Sequence, residues 1–232
     1  RAAVGVSSAA VRQRPWGLAF RRRSSARTLR HKEWTLLRRD PWLVSQSLMQ
    51  ILYLLPPALL LWVTFRSGHD AFVVLIPVIV MAAGQLAGGL AWLTISGEDA
   101  PDLVSTAPIA TNRIFLAKIE AVIGMVALIF APLVAFLAFD DLFAATVCGL
   151  GILSAAAAAT TIQLCFRIQA RRSHFRRRQT SSRIATFAEA FSSIAWAATS
   201  ALAAAGSWQA AGPAIVAFGI LASVWLVSPS RR

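Results

Sequence analysis

Apolar residues in this chain gather into six runs, at about 42–65, 71–96, 119–139, 142–166, 187–207 and 210–228. Each run is roughly 20 residues or longer, the length a helix needs to cross roughly 30 Å of hydrocarbon. The pattern predicts an all-α, polytopic membrane protein with six transmembrane helices.

The polar positions between the runs set the expected orientation. Of the 23 Lys and Arg residues, 18 fall in two blocks, Arg1 to Arg39 and Arg167 to Arg183. With the first block cytoplasmic, six crossings place connections 97–118 and 167–186 and the C-terminal tail on the same side. Every basic residue except Arg66 is then inside, as the positive-inside rule requires. Both termini are therefore expected in the cytoplasm. Trp42, Trp62, Trp92, Trp208 and Trp225 fall near run ends, where indoles favour the membrane interface, and Trp196 falls mid-run.

The formal charge of +13 alone would suit a nucleic-acid binder, but a chain that is 57% hydrophobic has too few polar residues to cover a soluble core. Three segments are expected: a basic, disordered tail or linker over 1–24, an amphipathic helix over 25–40, and the transmembrane domain over 41–230. In the second segment Leu29, Trp34, Leu36 and Leu37 share a broad side among basic residues, as in a helix lying in the interface with its cations toward lipid phosphate. A start on Arg1, with no initiator Met, reads as a fragment or the C-terminal half of a longer protein.

Local chemistry marks the run boundaries. Asp40-Pro41 opens the first, Asp70 is placed to cap the second, and Asp140 or Asp141 the fourth. Gly97 ends the second run, Asp99 and Pro101 open a short helix that Pro108 stops, and Thr111 or Asn112 starts the next. Thr186 and Glu189 have the spacing of a capping box. Glu189 is also the only carboxylate expected inside a span, so a transport or proton role stands beside the capping role. Pro56, Pro57, Pro77 and Pro132 should kink their helices, and Gly84 with Gly88 should let two helices approach closely inside the bundle.

Catalytic motifs are missing from the sequence: it has no G-x-x-x-x-G-K-[ST], H-E-x-x-H or G-x-S-x-G. Glu98, Asp99 and Asp102 have no second acidic cluster on the cytoplasmic side with which to complete a metal site. His174 stands alone among arginines, which does not make a metal site either. Cys148 and Cys165 are 17 residues apart on one expected helix, too far to pair.

The residues His31-Lys32-Glu33-Trp34 and Leu36-Leu37-Arg38-Arg39-Asp40-Pro41, just before the first run, resemble the connecting helix and first-span entry of the membrane-domain permeases of bacterial ABC (ATP-binding cassette) transporters of the type-2 exporter class. Gly97 to Leu103 with Thr106-Ala107-Pro108 resembles the cytoplasmic coupling helix of the same family. The long arginine-rich 167–186 connection and the short segment Ala205 to Gly212 depart from the family pattern.

The resemblance implies a translocation pathway that catalyses no reaction itself, driven by a separate nucleotide-binding ATPase subunit that holds ATP and Mg, with no cofactor on this chain. It assigns ATPase coupling to Glu98, Asp99, Asp102 and Leu103, and the connecting helix to Lys32, Glu33, Trp34, Arg38, Arg39 and Asp40. Partners are the ATPase, a second permease domain and anionic membrane lipids, the last met by Arg171, Arg172, Arg176, Arg177 and Arg178 of the basic loop. The expected location is the bacterial inner membrane. Two other classes stay open at this point: an integral-membrane enzyme acting on lipid or prenyl substrates through Glu98, Asp99 and Asp102, and a membrane scaffold whose basic loops recruit a soluble partner.

Overall fold

The computed structural model describes residues 24–39, 70–96, 110–166 and 183–228, together with Ser45, Met49, Leu52 and Val63 as single helical positions. The described residues form helices, with no strand among them. In chain order the elements are α1 (Ser25–Arg39), α2 (Asp70–Ser96), α3 (Thr111–Asp140), α4 (Leu142–Cys165), α5 (Arg183–Ala204), a 3-10 turn (Trp208–Ala210) and α6 (Ala211–Val227).

Four helices are long and apolar enough to cross a membrane: Phe72–Ile95, Asn112–Asp140, Leu142–Cys165 and Trp208–Val227. These make the chain an integral membrane protein. α5 is long enough but less apolar, because Glu189 and five Ser or Thr residues interrupt its 22 positions. Apart from the four single positions, the first apolar run lies outside the described residues.

The helix ends follow from local chemistry. Asp141 alone separates α3 from α4 and caps α4, its Oδ1 accepting from the amides of Phe143 (2.8 Å) and Ala144 (3.1 Å). α5 stops at Gly206, whose φ of 67° is the left-handed conformation that glycine adopts without a Cβ clash. There the Ser207 amide reaches back to the Leu202 carbonyl and the Gly206 amide to Ala203, closing a Schellman motif. Pro77 and Pro132 lie inside α2 and α3, and neither interrupts its helix.

The helices alternate in direction, so the ends of α2 and α4 sit with the starts of α3 and α5. α2 is central: from Ala83 onward nearly every described side chain is buried, apart from Gln85, against α4 and α5. The core joins Ile76, Ile79, Val80 and Leu90 of α2 to Val122 and Val126 of α3 and to Cys148, Ile152 and Ala156 of α4. α6 packs at the edge, with only Ala217 and Val224 of its residues buried.

Glycines allow this close approach. A Cβ at Gly84 would stand 2.5 Å from Ser193 Oγ, and one at Gly88 would occupy the space of the Glu189 carboxylate. Gly84 and Gly88 therefore face α5 inside the bundle, where small residues bring helix backbones together.

α1 packs along the first half of α3. Leu29 meets Ile114 and Ala117, Trp34 lies over Gly124, and Leu37 is fully buried in the main core. The opposite side of α1 exposes Arg27, His31 and Arg38.

Candidate functional site

Two polar centres lie at the same end of the bundle, away from the α3–α4 turn. Each is built from groups that an apolar protein interior accepts only when they are paired.

The first joins α1, α2 and α3. Glu33 is completely buried, with Oε1 3.3 Å from Lys118 Nζ and 3.6 Å from Lys32 Nζ. Lys118 is itself 4% exposed and donates to the Thr94 carbonyl at 2.7 Å. No aligned hydrogen-bond donor reaches either oxygen of Glu33 among the described residues, so attraction to the ammonium groups offsets its loss of water. Lys118 thus holds α1 with one contact and the last turn of α2 with another. One turn outward, Arg30 forms a two-pronged pair with Glu120, its Nη2 donating to Oε1 at 2.7 Å. Both members are about half exposed, where such a pair contributes about 0–1 kcal/mol.

The second centre joins α2, α4 and α5. Glu189 is 5% exposed, and Gln163 Nε2 donates to its Oε2 at 2.5 Å. α5 is already helical from Arg183, so Thr186 lies within the helix and is not its cap. The capping-box expectation for Thr186 and Glu189 is thereby corrected. Glu189 sits in the second turn, where the helix amides are occupied by their own ladder, and its side chain turns across to α4 and onto Gly88.

A polar stripe continues from Glu189 along α5. Ser192 and Ser193 are each 1% exposed, and their hydroxyls have no hydrogen-bond partner among the described residues. Ser200 donates to the Trp196 carbonyl at 2.8 Å and fills the space beside Gly151 of α4. Ser228 after α6 donates to the Cys165 carbonyl at 3.0 Å, tying the ends of α4 and α6.

Glu33, singled out from the sequence, stands at the heart of the first centre, and Trp34, also singled out, lies beside it over Gly124 with 37% of its surface exposed. Lys32 lies at its edge, while Arg38 is exposed and Arg39 ends α1. Asp40, the coupling residues Glu98, Asp99, Asp102 and Leu103, and the loop residues Arg171, Arg172, Arg176, Arg177 and Arg178 lie outside the described residues.

Sequence reasoning passed over Lys118, Thr94, Arg30 and Glu120. The available signal was the position of Lys118, a lone cation directly before a long apolar run. Among the described residues no three His, Cys, Asp or Glu side chains are grouped to hold a metal, and Cys148 and Cys165 are free buried thiols.

Comparison with models of known families, with curated proteins and with solved structures finds no match for this chain.

Proposed function

We propose that this chain is the membrane permease component of an ATP-binding cassette transporter, of the type-2 exporter class, and that it forms the translocation pathway while a separate ATPase subunit supplies the energy. The observation that supports the reading most directly is the buried Glu33–Lys118 pair. Glu33 belongs to the segment that resembles a connecting helix, and Lys118 lies about two turns into α3, the helix that follows the segment Gly97 to Pro108 resembling a coupling helix. A displacement of that segment by an ATPase would reach α1 through Lys118 and α2 through the Thr94 carbonyl.

The polar stripe of α5 supplies the other half of the reading. Glu189, Ser193 and Ser200 lie against the glycines of α2 and α4, where helix separation would expose a hydrophilic seam in an otherwise apolar layer. Six spans, both termini in the cytoplasm, an inner-membrane location and a second permease domain, on another chain or the same polypeptide, belong to this proposal. So does an ATPase partner carrying ATP and Mg.

The test is purification of the full-length parent protein in mild detergent, followed by identification of what co-purifies and an ATPase assay. A stoichiometric nucleotide-binding subunit with vanadate-sensitive hydrolysis is expected. A clean preparation with no ATPase would reject the permease reading.

A further inference from the structure

A hydroxyl inside a helix bundle can satisfy itself on its own helix, by donating to a carbonyl three or four residues earlier. Along α4, Thr146, Ser154, Thr160 and Thr161 all donate in this way, at 2.6–2.8 Å. Thr199 and Ser200, later in α5, do the same at 2.8 Å. Ser192 and Ser193 break the pattern. Both are buried, and neither hydroxyl meets a hydrogen-bond partner among the described residues. A buried hydroxyl left unpaired is destabilising, so two in succession point to a ligand that they share.

The two serines stand beside the one acid of their helix. They follow Glu189 by three and four residues, so all three share one side of α5. On the facing helix, Gly88 seats the Glu189 carboxylate and Gly84 seats Ser193 Oγ. The two groups therefore meet α2 one turn apart, about 6 Å along its axis. Two hydrogen bonds through one intervening oxygen span about 5.5 Å, close to that separation. From α4, Gln163 holds Glu189 Oε2, and Ala155 closes the Gly84 position, its Cβ 3.4 Å from where a glycine Cβ would stand. A ligand oxygen between the carboxylate and the serines is thus enclosed by α2, α4 and α5.

The chemistry of these groups selects the ligand. The serines offer two O–H donors, and a carboxylate has lone pairs enough to accept from Gln163 and from a ligand as well. A neutral hydroxyl group answers both, its oxygen accepting from Ser192 and Ser193 and its proton donated to Glu189. An anion would meet the Glu189 carboxylate, and a bare cation would leave the serine protons unbonded. We infer that Ser192, Ser193 and Glu189 form a binding site for one hydroxyl group, supplied by a buried water or by an alcohol on a transported solute. The solute source rests on the permease reading, and the water source does not.

Thermal unfolding of the full chain in mild detergent tests it, comparing wild type with the double variant Ser192→Ala with Ser193→Ala. If the hydroxyls had no ligand, removing them would leave the unfolding temperature unchanged or raise it. With a shared ligand, the variant should unfold about 5 °C lower, the loss expected for two ordinary hydrogen bonds. A gap present in plain buffer assigns the site to water. A gap that opens only when glycerol is added, with wild type gaining more than the variant, assigns it to a solute alcohol.

A variant at least as stable as wild type both with and without glycerol would overturn the site. So would a gap that appears only when sodium chloride replaces choline chloride at equal ionic strength, since the ligand would then be a cation. These measurements use neither ATP nor a partner subunit, so their failure is distinct from failure of the permease reading.

Discussion

Glu189 occupies the space that a side chain at Gly88 would need, although the two residues stand 101 positions apart in the sequence. The glycine is thus the seat of a buried acid, and neither position is free to change alone.

Gly88→Ala should displace the Glu189 carboxylate and strain the α2–α5 contact, at about 1–3 kcal/mol of overpacking. Combining it with Glu189→Ala frees the space, so the double variant should be more stable than the sum of the single effects predicts. Thermal unfolding in detergent measures all three. Strict additivity would show that the two residues do not share this space.

Replacing Lys118 by Met leaves Glu33 as a buried carboxylate without its principal counter-charge, which costs about 3–5 kcal/mol. The double variant Glu33→Leu with Lys118→Met removes both charges and should recover most of that loss. A double variant as unstable as Lys118→Met would locate the stabilisation in the Lys118–Thr94 bond and not in the ion pair.

Gln163→Leu removes the donor that Glu189 accepts, a hydrogen bond to an acid worth about 1.5–3 kcal/mol. Glu189→Gln keeps an acceptor oxygen in the same place and should lose less. Comparing their denaturation midpoints checks the order, and a reversed order would rule out the Gln163–Glu189 contact as a support of the fold.

Trp34 depends on the bare backbone of Gly124, where a Cβ would stand 2.7 Å from its ring. Gly124→Val should push the indole away and loosen α1 from α3. Trypsin would then cut α1 at Arg27, Arg30 or Arg38 several-fold faster than in wild type. Unchanged cleavage would mean that α1 is held by its charges alone.

The proposed orientation predicts that a cysteine at Gln209 is labelled by an impermeant thiol reagent from outside intact cells, and one at Ser24 only after permeabilisation. The native Cys148 and Cys165 are buried and should contribute little background. Reversed labelling would invert the topology.

Much of the helical architecture was legible because it follows from local rules. The fourth run, expected at 142–166, appears as Leu142–Cys165 with Asp141 as its cap, and Thr111 starts α3 as its place after Pro108 suggested. Gly84 and Gly88 were readable as a close-packing face because small residues in an apolar run have few other uses.

The polar centres were less legible, for a physical reason. Lys118 and Glu33 are far apart in sequence, and nothing in either segment alone says that both charges will be buried together. Glu189 was misread as a cap because Thr186 three residues earlier satisfies the capping spacing, whereas the helix starts a turn sooner at Arg183. Its true partner, Gln163, is set by how α4 packs on α5.

The unequal lengths of α3 and α4 have a mechanical consequence. α3 has 30 residues and α4 has 24, about 45 Å and 36 Å of helix, and Asp141 leaves them level at their shared turn. The surplus of about 9 Å, Thr111 to Leu116, emerges at the other end, where Ile114 meets Leu29 of α1. There α3 becomes a lever whose fulcrum is the apolar layer. A small sideways push on the projecting turns, made through α1, would tilt the whole rod and carry its far end, with the start of α4, in the opposite direction.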